Sequence, residues 1–316
     1  MKVFVAGATG ALGKQLVPQL AAAGHEVTGM TRTPAKAEAV RALGASPAIA
    51  DALDPEAVAA AVAKAEPEVI VHQLTALSQS LDLRHFDRDF AQTNRLRTEG
   101  TDILLSAARA SGVRRFVAQS FAGWPAERSG GPIKTEDDPV DPDPPAAVRT
   151  TLEAILYLER AVTSAAPIEG IALRYGGFYG PGTSLQLDPP GGEHVEAIRH
   201  RKFPIVGGGT GIWSFVHISD AAEATAIAVE RGAPGVYNVV DDNPSAVRDW
   251  LPEAARELGA KRPMRVPRWL GRIMAGEAAT VMMTEIRGAS NAKAKRELGW
   301  TPRHPSLVGA LAAAAA

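Results

Sequence analysis

The chain has no cysteine among its 316 residues, which excludes disulfides, thiolate zinc sites, iron–sulfur clusters and a cysteine nucleophile at one stroke. It also lacks a surplus of either charge: 34 Lys plus Arg stand against 35 Asp plus Glu, a formal net charge of -1. No basic field is available for a polyanion, so no nucleic-acid partner is expected. No run approaches the ~18 uninterrupted apolar residues a membrane span needs, and the alanine-rich tail from Ala310 to Ala316 is too short. Gly7, Gly10 and Gly13 interrupt the apolar start, and Lys14 follows without a cleavage site, so residues 1–14 read as a strand and turn rather than a signal peptide. The expectation is a soluble, cytoplasmic protein with no membrane partner. At 46% hydrophobic and 22% charged residues the composition is that of a globular protein of one enlarged unit or two lobes.

Strand-like and helical runs alternate along the first two thirds. Lys2 to Ala6 predicts a first strand and Gln15 to Ala23 a helix, followed by strand Val27 to Thr31, helix Pro34 to Leu43, strand Ser46 to Ala50 and helix Pro55 to Ala65. Strand Val69 to Leu74, a long helix around Phe90 to Ala110, strand Arg115 to Gln119, a helix around Val148 to Ala165 and strand Ile171 to Tyr175 continue the series. Such alternation predicts an α/β fold, a doubly wound parallel sheet covered on both faces. Residues 1–175, completed by about 211–241, are expected to form the doubly wound domain, with 176–210 and 242–316 as a smaller, mainly helical C-terminal substrate lobe. Between Phe121 and Pro145, and between Gly176 and Gly192, loop residues dominate. Both follow strand carboxyl ends, where ligands sit in such sheets, so substrate contacts are expected there.

The turn Gly7-Ala8-Thr9-Gly10-Ala11-Leu12-Gly13 closes the first strand and opens the first helix, the context that gives a glycine motif meaning. Gly7 suits the tight turn, Gly10 lets the backbone approach a pyrophosphate, Gly13 allows close helix–sheet packing, and the helix N-terminus offers free N–H groups to the anion. A Rossmann-type nucleotide site is the consequence. At the end of the second strand stand Thr31-Arg32-Thr33 and no acid. An acid there would accept a ribose 2′-hydroxyl, whereas Arg accommodates a 2′-phosphate, so NADP(H) is expected, with NAD as the alternative.

The spacing Gly-x-x-Gly-x-x-Gly resembles that of the extended short-chain dehydrogenase/reductase superfamily, the NAD-dependent epimerase/dehydratase group. Agreeing segments follow in order: Asp51-Ala52-Leu53-Asp54; Thr93-Asn94 with Gly100-Thr101; Arg174-Tyr175-Gly176-Gly177-Phe178-Tyr179-Gly180-Pro181-Gly182; Phe215-Val216-His217-Ile218-Ser219-Asp220; Tyr237-Asn238-Val239; and Lys295-Arg296-Glu297-Leu298-Gly299-Trp300-Thr301-Pro302. The resemblance implies that Thr9, Ala11 and Leu12 join the glycines around the diphosphate and that Asp51 and Ala52 lie against adenine. It further implies that Leu74, Thr75 and Ala76 line the dinucleotide cleft, that Asn94 orders the site, and that Tyr175 and Gly176 approach the nicotinamide.

The superfamily's usual proton donor is a Tyr-x-x-x-Lys pair on one helix face, in which the lysine lowers a phenol pKa otherwise near ~10. This chain has only four tyrosines. Four places after Tyr157, Tyr175, Tyr179 and Tyr237 come Ala161, Tyr179, Thr183 and Asp241, none a lysine. With Glu159 as the reference, Thr151 takes the Tyr position and Ile155 the Lys position, while Tyr157 falls on another helical face. The standard pair is absent, which makes the chain an atypical member. Ser120 and Tyr175 are the candidate catalytic residues. His85, in a charged run, reads as a solvated helix start; His217 reads as a hydrogen-bonded structural histidine; Glu193, His194, Glu196 and His200 lack any metal-ligand spacing, so no metal is expected. The function expected is an NADP(H)-dependent oxidoreductase or epimerase/dehydratase-like enzyme acting on a small organic substrate, the alternative being a non-catalytic NAD(P)-binding sensor or scaffold. Oligomeric state is not legible.

Overall fold

The computed structural model describes residues 1–77, 84, 86–187 and 191–315; His85 lies outside them. Seven parallel strands form the central sheet: β1 Lys2–Ala6, β2 Glu26–Thr31, β3 Ser46–Ile49, β4 Val69–His72, β5 Arg115–Phe121, β6 Glu169–Tyr175 and β7 Gly235–Val239. Their spatial order is β7-β6-β5-β4-β1-β2-β3. The order reverses beside β1, so the carboxyl ends of β1 and β4 flank the crevice where such sheets bind nucleotides.

Both faces are covered because the strands are apolar on both sides. On one face α1 Ala11–Ala22 and α8 Ile218–Glu230 pack with Val3, Val5, Leu16, Leu20, Ala224 and Tyr237. On the other, α3 Pro55–Ala65, α5 Glu99–Ala110 and α6 Arg149–Thr163 enclose Phe4, Ile70, Leu104, Phe116 and Leu158. Asp54 caps α3 by accepting from the amides of Glu56 and Ala57.

Two expected helices break up. The segment Pro34 to Leu43 is a single 3₁₀ turn, Pro34–Lys36, running into the short α2, Ala37–Ala42. The long helix divides into α4 Phe86–Arg97 and α5 at Thr98, whose φ of -99° and ψ of -83° leave the helical range. The Thr98 amide and Oγ1 both donate to the Asn94 carbonyl at 3.0 Å, which ends α4 there.

The remaining residues build a separate apolar cluster around Tyr179, Val195, Phe215, Trp250, Leu251 and Leu307, carried by α7 Glu193–Arg199, α9 Val247–Glu257 and α11 Leu307–Ala315. The longest of these helices, α10 Arg268–Thr284, is kinked where Gly276 adopts φ 87° and ψ 176°. Its second half lies against α6: Ala278 and Val281 pack with Val148, Leu152 and Ile155. Two short pairings pin the loops beyond the sheet, Gly288–Ala289 beside Ile133–Lys134 and Phe215–His217 beside Gly177–Tyr179. No helix among the described residues is long and apolar enough to cross a membrane.

Candidate functional site

The glycine turn has the geometry of an anion cradle. Gly7 sits at φ +99°, in the left-handed region, and a Cβ there would come within 2.8 Å of the Gln73 carbonyl oxygen, so only glycine serves. Gly13 lies against the Gly7 and Ala8 carbonyl oxygens, where a side chain has no room. Gly10 differs. It is exposed, its φ of -71° suits any residue, and the nearest atom to a Cβ would be Gly7 O at 3.3 Å. A side chain at Gly10 would therefore project into open space in front of α1. No side chain caps α1 and its first turn holds no acid, so the amides of Ala11 and Leu12, which have no intrahelical acceptor, are available to an anion. This arrangement fits a dinucleotide diphosphate, with Thr9 beside it.

Arg32 follows the last residue of β2, is exposed, and makes no ion pair or hydrogen bond among the described residues. Thr31 is buried, and its Oγ1 accepts from the Thr33 amide at 3.5 Å. Asp51 is exposed and holds the turn after β3 by accepting from the Leu53 amide at 3.0 Å, while Ala52 packs inward. Beyond β4, the Leu74 amide donates to His72 Nδ1 at 3.3 Å and the Ala76 amide to Thr93 Oγ1 at 3.0 Å. Thr75 and Ala76 are left exposed. Gly176, at the end of β6, runs so close to Ser214 that a Cβ would come within 2.6 Å of its carbonyl oxygen.

The two catalytic candidates are both buried, and their hydroxyls have internal partners. Ser120 is 2% exposed and donates to Glu159 Oε1 at 2.6 Å. Glu159 in turn accepts two parallel bonds from Arg174, from Nε and Nη2, each at 2.7 Å. Tyr175 is 1% exposed; its hydroxyl lies 2.6 Å from Thr225 Oγ1 and accepts from Gln73 Nε2 at 3.4 Å. Burial drives its pKa far above the ordinary phenol range, with Thr225 and Gln73 pulling weakly the other way.

Packing surrounds Thr151 and Ile155, the residues expected in place of the tyrosine and the lysine. Thr151 is 0% exposed and Ile155 1%, the latter in an apolar cluster with Phe86, Trp124, Leu152 and Val281. Asn94 links α4 to this point by donating from Nδ2 to Thr151 Oγ1 at 3.0 Å. Arg97, one turn on, donates to Asn94 Oδ1 at 3.3 Å, and burial pulls its guanidinium down to about 10 against the attraction of Glu159. Tyr157 faces outward and donates to Asp102 Oδ2 at 2.6 Å. Arg97 escaped the sequence reading because Arg95 and Arg97 look like an ordinary solvated pair; only Arg95 is exposed, bridged to Glu99.

A second polar cluster lies under the C-terminal part. His217 caps α8, its Nδ1 accepting from the Ser219 amide, and its ring stacks on His304 at 3.8 Å. Asp220 accepts from the His304 amide at 2.8 Å. Asp241 is 1% exposed and its Oδ2 has no partner; burial first, then the neighbouring Asp242 and Asp220, push its carboxyl up to about 7.

The family model for the NAD-dependent epimerase/dehydratase family matches residues 3–239. A 3-diazoavenalumate denitrifying reductase from Streptomyces sp is 47% identical over 310 residues, covering 97% of each chain. A UDP-glucose 4-epimerase from Corynebacterium glutamicum is 32% identical over 65% of this chain and 63% of its own. Among solved structures, the UDP-glucose 4-epimerase of Thermotoga maritima superposes with a TM-score of 0.77 at 21% identity, covering 100% of this chain and 97% of that one. That of Thermus thermophilus in complex with NAD gives 0.73 at 26% identity over 99% and 97%.

Proposed function

Since the chain belongs to the NAD-dependent epimerase/dehydratase family, and so is an NAD(P)-dependent oxidoreductase or epimerase, we propose that it is an NADPH-dependent reductase of a diazo compound. One observation supports this reading: Thr151 and Ile155, which we set against the proton-donating pair, are buried in a packed interior. Reducing a carbonyl leaves an alkoxide that must be protonated, which is the work of a phenol beside a cation. Replacing an arenediazonium group by hydrogen makes no such demand. One hydride forms the new C–H bond, the C–N bond breaks, and dinitrogen leaves with no proton consumed. The loss of the pair and the diazo substrate in the reductase relative's name therefore point the same way.

When bound, the reduced nicotinamide supplies that hydride. Gly7, Thr9, Gly10, Ala11, Leu12 and Gly13 would hold the diphosphate. Asp51 and Ala52 would meet adenine, and Leu74, Thr75, Ala76, Asn94, Tyr175 and Gly176 would line the nicotinamide half. Arg32, unpaired beyond Thr31, would take the 2′-phosphate. Ser120 and Tyr175, whose hydroxyls are engaged by Glu159 and Thr225, would fix the ends of β5 and β6 beneath the substrate.

The test incubates the protein with a benzenediazonium salt and NADPH carrying deuterium on either face of C4. Deuterium at the former C–N carbon, with stoichiometric dinitrogen, is the expected result. Unlabelled product, or interconversion of UDP-glucose with its 4-epimer instead, overturns the reading.

A further inference from the structure

Residues 286–290 cross the carboxyl edge of the sheet between two loops. The Ile212 amide donates to the Ile286 carbonyl at 2.9 Å, the Gly288 amide to Pro132 O at 3.0 Å, the Ala289 amide to Ser214 Oγ at 2.8 Å and the Ser290 amide to Lys134 O at 2.8 Å. In an extended segment successive side chains face opposite ways. A Cβ on Gly288 would meet Pro244, Ile133 and Ile212. Ala289 packs instead on Ala122 and Val240, the residues just beyond β5 and β7. Arg287 shares the face of Ala289, so its side chain leaves the backbone toward the strand ends where the substrate must lie.

Arg287 is anomalous in this chain. Its Nε is shut off from solvent with no hydrogen-bond partner, and among the described residues it makes no ion pair. The acid nearest in sequence, Glu285, is taken by Arg128 and Arg268. Shielding the Nε–H of a guanidinium without an acceptor is costly, and it is the state expected of a group whose acceptor arrives with a ligand. An arenediazonium acid brings its own ring, and a guanidinium takes its carboxylate in a planar, bidentate pair.

We infer that Arg287 is the anchor for a carboxylate on the substrate, so that the site selects aromatic acids over their neutral esters. The inference refines the diazo-reductase reading and rests on it for the location of the substrate. The test uses the full chain saturated with NADP⁺. Calorimetry compares benzoate and trans-cinnamate with their methyl esters, in the unaltered protein, Arg287→Gln and Arg287→Lys. The acid is expected to bind at least about tenfold more tightly than its ester in the unaltered protein; Arg287→Gln brings the ratio to about one, and Arg287→Lys keeps part of it. A ratio near one in the unaltered protein, or one that survives in Arg287→Gln, overturns the anchor. Circular dichroism and the NADP⁺ affinity of each variant, which Arg287 should not alter, report whether the fold is intact. Turnover separates the two readings. If 3-carboxybenzenediazonium is not reduced while the acid-to-ester ratio behaves as expected, the reductase reading falls and the anchor stands. If it is reduced with the same kcat/KM as its methyl ester, the anchor falls and the reductase reading stands.

Discussion

Replacing Arg174 by Met should destabilise the chain as much as a large core truncation. Arg174 and Glu159 are buried, their side chains 10% and 5% exposed, and two 2.7 Å bonds join them while Ser120 adds a third, at 2.6 Å. Arg174→Met keeps the volume and removes the cation, stranding a carboxylate that retains only the serine donor and the more distant field of Arg97. Breaking a buried pair from one side costs about 3–5 kcal/mol. At roughly 2 °C per kcal/mol for a chain of this size, the melting temperature falls by about 6–10 °C. Taking both charges away is expected to hurt less: Arg174→Met with Glu159→Leu should recover at least half the loss, since two apolar groups carry no desolvation penalty. Ser120→Ala removes a bond to a charged acceptor and should cost about 1.5–3 kcal/mol, with turnover lost only in proportion to the unfolded fraction. Urea titration followed by tryptophan fluorescence measures all four proteins. A loss below about 1 kcal/mol in Arg174→Met, or a double variant less stable than the single one, would show that the pair is not closed to solvent as described.

Three further outcomes follow from other parts of the molecule. Gly10→Val should keep the circular dichroism of the unaltered chain, because Gly10 is exposed with φ of -71°, yet lose NADPH affinity by about a hundredfold or more, as its side chain fills the space in front of α1; normal affinity would mean that the diphosphate lies elsewhere. Arg32→Ala should lower affinity for NADPH and leave that for NADH within about twofold, since only a 2′-phosphate calls on the guanidinium; equal losses for both cofactors in calorimetry would defeat the assignment. Asp241, with its carboxyl pushed up to about 7, holds a proton in the fold that the unfolded chain releases near ~3.9. Its contribution is therefore greatest at acid pH and is lost as pH rises through 7, so Asp241→Asn should gain roughly 4 kcal/mol relative to the unaltered chain between pH 4 and pH 8. Comparing variant with parent at each pH matters, because buried His72, held down to about 4, gives the opposite slope between that value and its ordinary ~6.5.

The parts legible in the sequence are those fixed by local chemistry. The glycine turn and the first six strands follow from residues within a few places of one another, and β1 and α3 lie where the pattern puts them. The break at Thr98 lies two places before Gly100, but a single glycine inside an otherwise helical run does not announce one. Ser120 read as a cleft residue because it ends a strand, but its acceptor is 39 positions away on α6. Arg287 stands in no motif, and its significance lies in partners it does not have.

The filled interior at Thr151 and Ile155 limits what those two positions could accept. Thr151→Tyr with Ile155→Lys would have to place a phenol and an ammonium where α10 already rests on α6, with Val281 and Trp124 sharing the cluster of Ile155. Overpacking of that kind forces backbone shifts, and the lysine would enter without a counter-charge among those apolar neighbours. Two substitutions alone would not install a phenol and a cation at these positions; the helix above would have to withdraw first. The packing there is held by architecture, a ratchet in which the second half of α10, up to its hinge at Gly276, is the pawl.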